Sequence, residues 1–480
     1  MELEPDQIKE RISELGVKQA THLLREWIIN SNDLKVRLEA LRELNNLDIG
    51  KNFKFLEQLF LSDEMNEVRV ICGKILKENY LNHKKIIPLM EFILANVSDL
   101  EQKLLALEVL NLIDSPASKK VIHLYLKNYI KKKLSDKNFK FPKEIFISDY
   151  QISLSPYILE VCANLIMYDY YTYECGYNVT LRDGIIILMN CEGSNLTNIN
   201  EIRALDKLTK LEHLLIQRNH IKRIQGLENL KNLKTLNLSN NNIKHIENLE
   251  SLTNLEELYL SDNEIEEIKN LESLKSLKLL FLDGNIIKKI ENLDNLSNLE
   301  SLNLNNNKLS KIHNLNELVN LKRLNFSFNN ITLISGLQKQ EKLIWLHLSN
   351  NQISQIEGLN NLMFLKVLNL TNNKIEIVEN LDNLTSLLKL ELSNNKIKKI
   401  QGLDNLKNLQ ELFLDKNSIK EFEGIEKLEK IIILFLENND ISEFSLKKIE
   451  NLNNLNFIFL NDNPLTPNSW ASYKKWARFP

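Results

Sequence analysis

Apolar residues recur through the second half of this chain with a fixed step of 22 residues. One unit reads Leu233-x-x-Leu236-x-Leu238-x-x-Asn241-x-Ile243-x-x-Ile246-x-x-Leu249-x-x-Leu252. The next places Leu255, Leu258, Leu260, Asn263, Ile265, Ile268, Leu271 and Leu274 at the same offsets. The Leu-x-Leu alternation predicts a short strand with one buried face. The apolar residues at every third position that follow predict a return path. Asn219, Asn241, Asn263, Asn285, Asn307, Asn329, Asn351, Asn373, Asn395, Asn417 and Asn439 keep the same step, and Asn463 follows 24 residues after the last of them.

A constant period with this spacing is the signature of leucine-rich repeats, here over about residues 186–465. Each unit contributes one strand to a long parallel sheet on the concave side. The recurrent asparagine stands where the chain leaves the strand, where its amide can satisfy backbone groups of the turn and form a ladder with its neighbours. The asparagines are therefore read as frame and not as ligands.

The first third carries the other period. Leu34, Leu38, Leu41 and Leu44 share a helix face after Asp33, as do Val68, Ile71, Cys72 and Ile75 after Asp63, and Leu100, Leu104, Leu107 and Leu110 after Asp99. Aspartate near each start is an N-cap or a first-turn anion. Asp33-Leu-Lys-Val36-Arg37 and Asp63-Glu-Met-Asn-Glu-Val68-Arg69 are two copies of one pattern, with a looser third from Asp99 to Leu107. Helix pairs of this kind resemble HEAT repeats, and the resemblance implies a short solenoid over about 125 residues. An irregular helical bundle is the alternative.

Between the two lies a junction. Phe139 to Ile145 reads as a linker, Pro156 to Tyr171 as one helix, and Tyr168, Tyr170, Tyr171, Tyr173 and Tyr177 as core or interface. Strands on either side of an Asp183-Gly184 turn lead into an irregular first repeat of 25 residues. The expected architecture is thus an α+β multidomain repeat protein. An N-terminal HEAT-like α-solenoid spans 1–133 and a junction with a cap 134–183. A leucine-rich repeat solenoid with a parallel concave β-sheet, of about 13 units, spans 184–463, and a C-terminal cap 464–480.

The form with Ile-x-x-Ile-x-x-Leu on the return path resembles the leucine-rich regulatory subunit of protein phosphatase 1. Ile246-Glu-Asn-Leu, Ile290-Glu-Asn-Leu and Ile356-Glu-Gly-Leu carry the likeness. The chain's end adds to it, with the two-residue insertion before Asn463, then Asn463-Pro464-Leu465, then Trp470-x-x-Tyr473-x-x-Trp476, read as a cap that seals the core. The resemblance implies that acidic and aromatic strand residues hold a catalytic subunit. Phe435 and Phe459 fall where that family has aromatics, whereas Phe413 and Ile433 stand where it has acids.

Strand residues between the leucines face the concave side. They form one aromatic patch at Tyr259 and Phe281, with Leu279, Glu257 and Asp283. A second holds Phe413, Ile433, Phe435, Phe457 and Phe459, rimmed by Glu391, Glu411, Asp415 and Glu437, with Trp345 and His347 between the two. Contiguous aromatics rimmed by charge mark a protein-binding surface. A cross-strand ladder that only stabilises the sheet is the alternative. A partner with apolar and basic groups suits the second patch.

Net charge is −3 in 480 residues, which argues against general binding to nucleic acid or membrane. The first residues form no secretory signal and no run is long enough to cross a bilayer. Cys72, Cys162, Cys175 and Cys191 are scattered and read as reduced thiols. No nucleotide-binding, metalloprotease or nucleophile-elbow motif occurs. The expectation is a cytoplasmic, monomeric, non-catalytic interaction scaffold without cofactor or metal. The alternatives are a regulatory subunit of an enzyme such as a phosphatase, and a surface adhesin of internalin type.

Overall fold

The computed structural model describes residues 4–47, 51–133 and 156–477. The chain divides into two compact units, residues 1–186 and 187–480. The predicted linker Phe139–Ile145 lies outside the described residues.

The first unit is built from helices α1 (Pro5–Glu10), α2 (Ile12–Leu15), α3 (Val17–Asn30), α4 (Leu34–Leu47), α5 (Phe53–Ser62), α6 (Asn66–Asn79), α7 (Ile86–Asn96), α8 (Leu100–Ile113), α9 (Pro116–Lys133) and α10 (Pro156–Asp169). α3 pairs with α4, α5 with α6 and α7 with α8, and α4, α6 and α8 pack in succession. Asp99 caps α8 by accepting from the Gln102 N–H at 3.0 Å, which satisfies one of the free donors of the first turn.

The buried face of α4 differs from the leucine stripe. Arg37, Ala40, Leu41, Glu43 and Leu44 are its buried residues, while Leu34 and Leu38 are half-buried. Arg37 accounts for the difference. Its Nε donates to the Ile28 carbonyl at 2.6 Å and its Nη2 pairs with Asp63, tying one helix pair to the next. Arg69 repeats the move, donating to the Asp63 carbonyl at 2.6 Å and lying 3.8 Å from Asp99. A buried guanidinium is tolerated because it is both paired and hydrogen-bonded.

The predicted helix from Pro156 ends at Asp169 and continues as a π-helical turn, Tyr170–Glu174. Tyr171 is fully buried there, but Tyr173 is 59% exposed, so the tyrosine cluster is not one core. Strand β1 (Asn178–Arg182) follows, and β2 (Ile185–Asn190) carries the chain into the second unit across a turn in which Asp183 and Gly184 have φ of 52° and 78°.

The second unit is a single run of parallel strands. After β2 come β3 (His213–Leu215), β4 (Thr235–Asn237), β5 (Glu257–Tyr259), β6 (Leu279–Phe281), β7 (Ser301–Asn303), β8 (Arg323–Asn325), β9 (Trp345–His347), β10 (Val367–Asn369), β11 (Lys389–Glu391), β12 (Glu411–Phe413), β13 (Ile433–Phe435) and β14 (Phe457–Phe459). Each pairs in register with the next, as in Leu346↔Leu368↔Leu390. The first step, Met189↔Leu214, is the irregular one. Helix α11 (Pro467–Ala477) closes the series. The template leucines and isoleucines are almost all 0–1% exposed. At roughly 1.5–3 kcal/mol for each fully buried aliphatic side chain, this continuous core is the main stabilising contribution.

The asparagines that keep the 22-residue step bond to backbone and not to one another. Asn241 donates to the carbonyls of Leu238 at 3.0 Å and Ser239 at 3.3 Å in its own repeat and of Ile216 at 3.1 Å in the previous one. Its Oδ1 accepts from the Ile221 N–H at 2.9 Å. Every step to Asn463 repeats the pattern, including the inserted one. A second row shares this task. Asn248, Asn270, Asn292, Asn314 and Asn380 adopt φ of 56–60°, and Asn248 and Asn292 donate to the carbonyls of Ile224 and Ile268 at 2.7 Å. Glycine replaces asparagine in that row at Gly402, whose φ is 67° and whose added Cβ would stand 2.5 Å from the Val378 carbonyl. The left-handed backbone admits only residues of these two kinds at low cost.

Candidate protein-binding surface

The strand residues alternate between core and concave side, so the side chains flanking each central leucine share one face. Tyr259, Phe281, Trp345, His347, Glu391, Glu411, Phe413, Phe435 and Phe459 are half-buried on that face, and Phe457 is 53% exposed.

The C-terminal aromatics form a stack. Phe413 and Phe435 lie 4.4 Å apart between centroids at 12°, and Phe435 and Phe459 4.6 Å apart at 10°. Phe457 lies nearly parallel to Phe459 at 6.4 Å. The in-register strands impose this spacing, since parallel neighbours lie about 4.8 Å apart. Rings stacked along the sheet present their edges to the concave space. Cross-strand stabilisation is therefore real here, and it leaves an apolar strip three strands wide, continued by Phe457.

The acidic rim is partly occupied from within. Lys389 lies 2.9 Å from Glu391, 3.6 Å from Glu411 and 4.8 Å from the Phe413 centroid. Burial pulls its ammonium pKa down, but Glu391 and Glu411 together hold it above the ordinary lysine value. Asn369 also donates to Glu391 at 2.6 Å. Ser393 donates to Asp415, and Asn461 to Glu437 at 3.2 Å.

The Tyr259–Phe281 pair is smaller, stacked at 5.1 Å, and sits in a polar network. Tyr259 and Thr235 both donate to Glu257 at 3.2 Å, while Ser261 and Asn303 donate to Asp283 at 2.7 and 2.9 Å. Burial, then Glu257, raises the Tyr259 pKa. Between the patches, the Arg323 guanidinium lies 4.5 Å over Trp345, and burial depresses the His347 pKa.

One row escaped the sequence reading. The residues at the strand entrances, one step earlier than β3–β8, are Glu212, Lys234, Glu256, Lys278, Glu300 and Lys322. They pair as Lys234–Glu212 at 3.2 Å, Lys278–Glu256 at 2.6 Å and Lys322–Glu300 at 2.8 Å. From Ile344 onward the row alternates, with Ile344, Leu388 and Ile432 half-buried and Lys366, Gln410 and Asn456 between and after them. The 22-residue step itself is the signal that reveals this change. At the chain's end Tyr473 closes the core, 3% exposed, donating to the Ile458 carbonyl at 2.7 Å, while Trp470 and Trp476 are half-buried beside it. Among the described residues no His, Cys, Asp and Glu group could hold a metal ion, and no helix is long and apolar enough to cross a membrane.

Strand, asparagine turn and apolar return path, repeated in register, define a leucine-rich repeat solenoid. Residues 209–265 match the family model "Leucine rich repeat", and residues 253–295, 341–383 and 385–427 match "Leucine Rich repeats (2 copies)". Among solved structures the chain is similar to an internalin of Listeria monocytogenes, with 28% identity and a TM-score of 0.54 over 62% of this chain and 89% of that one. A leucine-rich repeat protein of Leptospira interrogans is 28% identical, with a TM-score of 0.50 over 58% of this chain and 79% of the other. The leucine-rich repeat domain of APL1B, 20% identical with a TM-score of 0.50, covers 68% of this chain and 92% of its own and shares the fold. No curated protein matches the chain.

Proposed function

We propose that this protein is a non-catalytic scaffold that binds a partner protein on the concave face of its leucine-rich repeats, centred on Phe413, Phe435, Phe457 and Phe459. The observation that carries the proposal is the stacked phenylalanine strip, which stays accessible while the entrance row of the N-terminal half is closed by lysine–glutamate pairs. Aromatic anchors at the centre of an interface supply most of its energy. The helical third, read as HEAT-type pairs joined through Arg37–Asp63, offers a second dock. The place of action is the cytoplasm and the working form a monomer. The test is affinity capture with identification by mass spectrometry, with Phe435→Ala/Phe459→Glu alongside. A protein retained by the parent and lost by the variant at unchanged circular dichroism supports the site; equal recovery overturns it.

A second reading makes the partner an enzyme, such as a phosphatase, that this chain regulates. The Asn439–Asn463 insertion followed by a sealing helix supports it, since these features carry the resemblance to the phosphatase regulator. Phosphatase activity in the captured fraction tests it. The likeness to an internalin supports an adhesin instead, and finding the chain outside the cell would favour that reading.

A further inference from the structure

The middle of the concave sheet holds a cation with no hydrogen-bonded or ion-paired acid among the described residues. Lys234, Lys278, Lys322 and Lys389 each pair with a glutamate. Arg323 on β8 is exposed, and among the described residues its guanidinium makes no hydrogen bond or ion pair. Its Cζ lies 4.5 Å over the Trp345 ring, and the nearby Glu300 is taken by Lys322 at 2.8 Å. A guanidinium attracted to a ring face keeps its N–H donors for another acceptor.

Two further donors stand beside it. Asn325 follows two residues later on the same face and uses its Oδ1 for the Ser327 N–H at 3.0 Å, while its amide donors have no acceptor among the described residues. His347 lies beside Asn325 in register, as Trp345 does beside Arg323. Its imidazole makes no hydrogen bond among the described residues. Glu300 and Glu391 act on Arg323 and His347 only through space, each held by a lysine, so the positive fork, the amide and the imidazole keep donors that suit a carboxylate, which an arginine holds through two parallel bonds.

We infer that Arg323, seated over Trp345 and flanked by Asn325 and His347, binds an acidic side chain of the protein partner whose apolar segment lies on the Phe413–Phe459 strip. This rests on the proposed concave docking surface and adds the partner's polarity. From β8, which carries Arg323, to β12 is four strand steps and to β14 six, roughly 19–29 Å at about 4.8 Å per step. At about 3.3 Å per extended residue, the acid stands about six to nine residues from the apolar anchor. Charge thereby fixes the direction in which the segment lies across the strands.

The test is a phage selection of random peptides against the full chain, against Arg323→Glu and against Phe435→Ala. The peptides have about twelve residues, enough to cross the strip when extended. Peptides that require Phe435 are expected to carry Asp or Glu about six to nine residues from an apolar residue. Arg323→Glu is expected to weaken them about tenfold and to select Lys or Arg at that position instead, while Arg323→Lys keeps part of the affinity. Phe435-dependent peptides without an acidic position, or with the same preference on Arg323→Glu, overturn this inference and leave the docking surface standing. Absence of any Phe435-dependent peptide overturns the docking surface and this inference with it. Matching circular dichroism and melting curves confirm that the variants are folded.

Discussion

Truncating Asn329 to alanine tests the frame on which the concave face depends. Asn329 is 7% exposed. Its amide donates to the carbonyls of Leu304 at 2.9 Å, Phe326 at 3.0 Å and Ser327 at 3.1 Å, and its Oδ1 accepts from the Leu309 N–H at 2.9 Å. Two N–H groups shared among three carbonyls, with one accepted bond, amount to about three hydrogen bonds of roughly 1 kcal/mol each. The Leu309 N–H is left buried without an acceptor, a further cost of about 1–3 kcal/mol. Asn329→Ala is therefore expected to destabilise its region by about 4–6 kcal/mol. Because a solenoid repeat touches only its neighbours, the effect should be local. Hydrogen exchange read by mass spectrometry should speed up over residues 304–331, and urea unfolding followed by circular dichroism should shift to lower urea. Exchange unchanged there, with a loss below about 1 kcal/mol, would refute the reasoning that these bonds carry the turn.

Four further outcomes follow from single contacts. Gln340 is fully buried at a leucine position; its Nε2 donates to the Leu315 carbonyl at 2.7 Å, which the Leu318 N–H also serves, and its Oε1 has no partner among the described residues, so Gln340→Leu trades one hydrogen bond for a removed stranded atom and gained apolar burial and should raise stability by about 1 kcal/mol in urea unfolding. Gly402→Ala forces a side chain to φ 67° and to 2.5 Å from the Val378 carbonyl, and should lower stability by about 1–3 kcal/mol. Arg37→Ala leaves Asp63 buried without its cation and should cost about 3–5 kcal/mol, read by unfolding of the helical unit. His347 has a folded pKa below its ordinary 6.5, so the stability tied to its neutral form is complete above 6.5 and declines as pH falls through the folded value; an NMR titration should place its midpoint below 6.5.

The strands were legible because a two-residue alternation repeated every 22 residues admits one register, and slipping it by one residue would expose every leucine. The structural role of the asparagines was legible for the same reason. Their partners were not, because a side-chain amide can reach backbone of the previous repeat without any mark in the pattern. In α4 the apolar stripe misplaced the buried face, since Arg37 enters the core through a contact with Asp63 that helix periodicity does not encode. On the concave face the alternation about each central leucine made the aromatic positions legible, but it showed Glu391 and Glu411 as open acids. Lys389 engages both, Glu411 beside it in register on β12 and Glu391 two residues on along its own strand. The unpaired state of Arg323 was invisible for the converse reason, since it depends on which neighbours take Glu300.

The most direct measurement is a calorimetric titration of the captured partner against Phe459→Glu, with Tyr259→Ala as the comparison. The account predicts that Phe459→Glu weakens binding by at least about 2 kcal/mol, the scale of an interface hot spot, while Tyr259→Ala changes it by less than about 0.5 kcal/mol. Equal affinity for parent and Phe459→Glu, or a larger loss from Tyr259→Ala, contradicts the placement of the docking surface on the C-terminal strip.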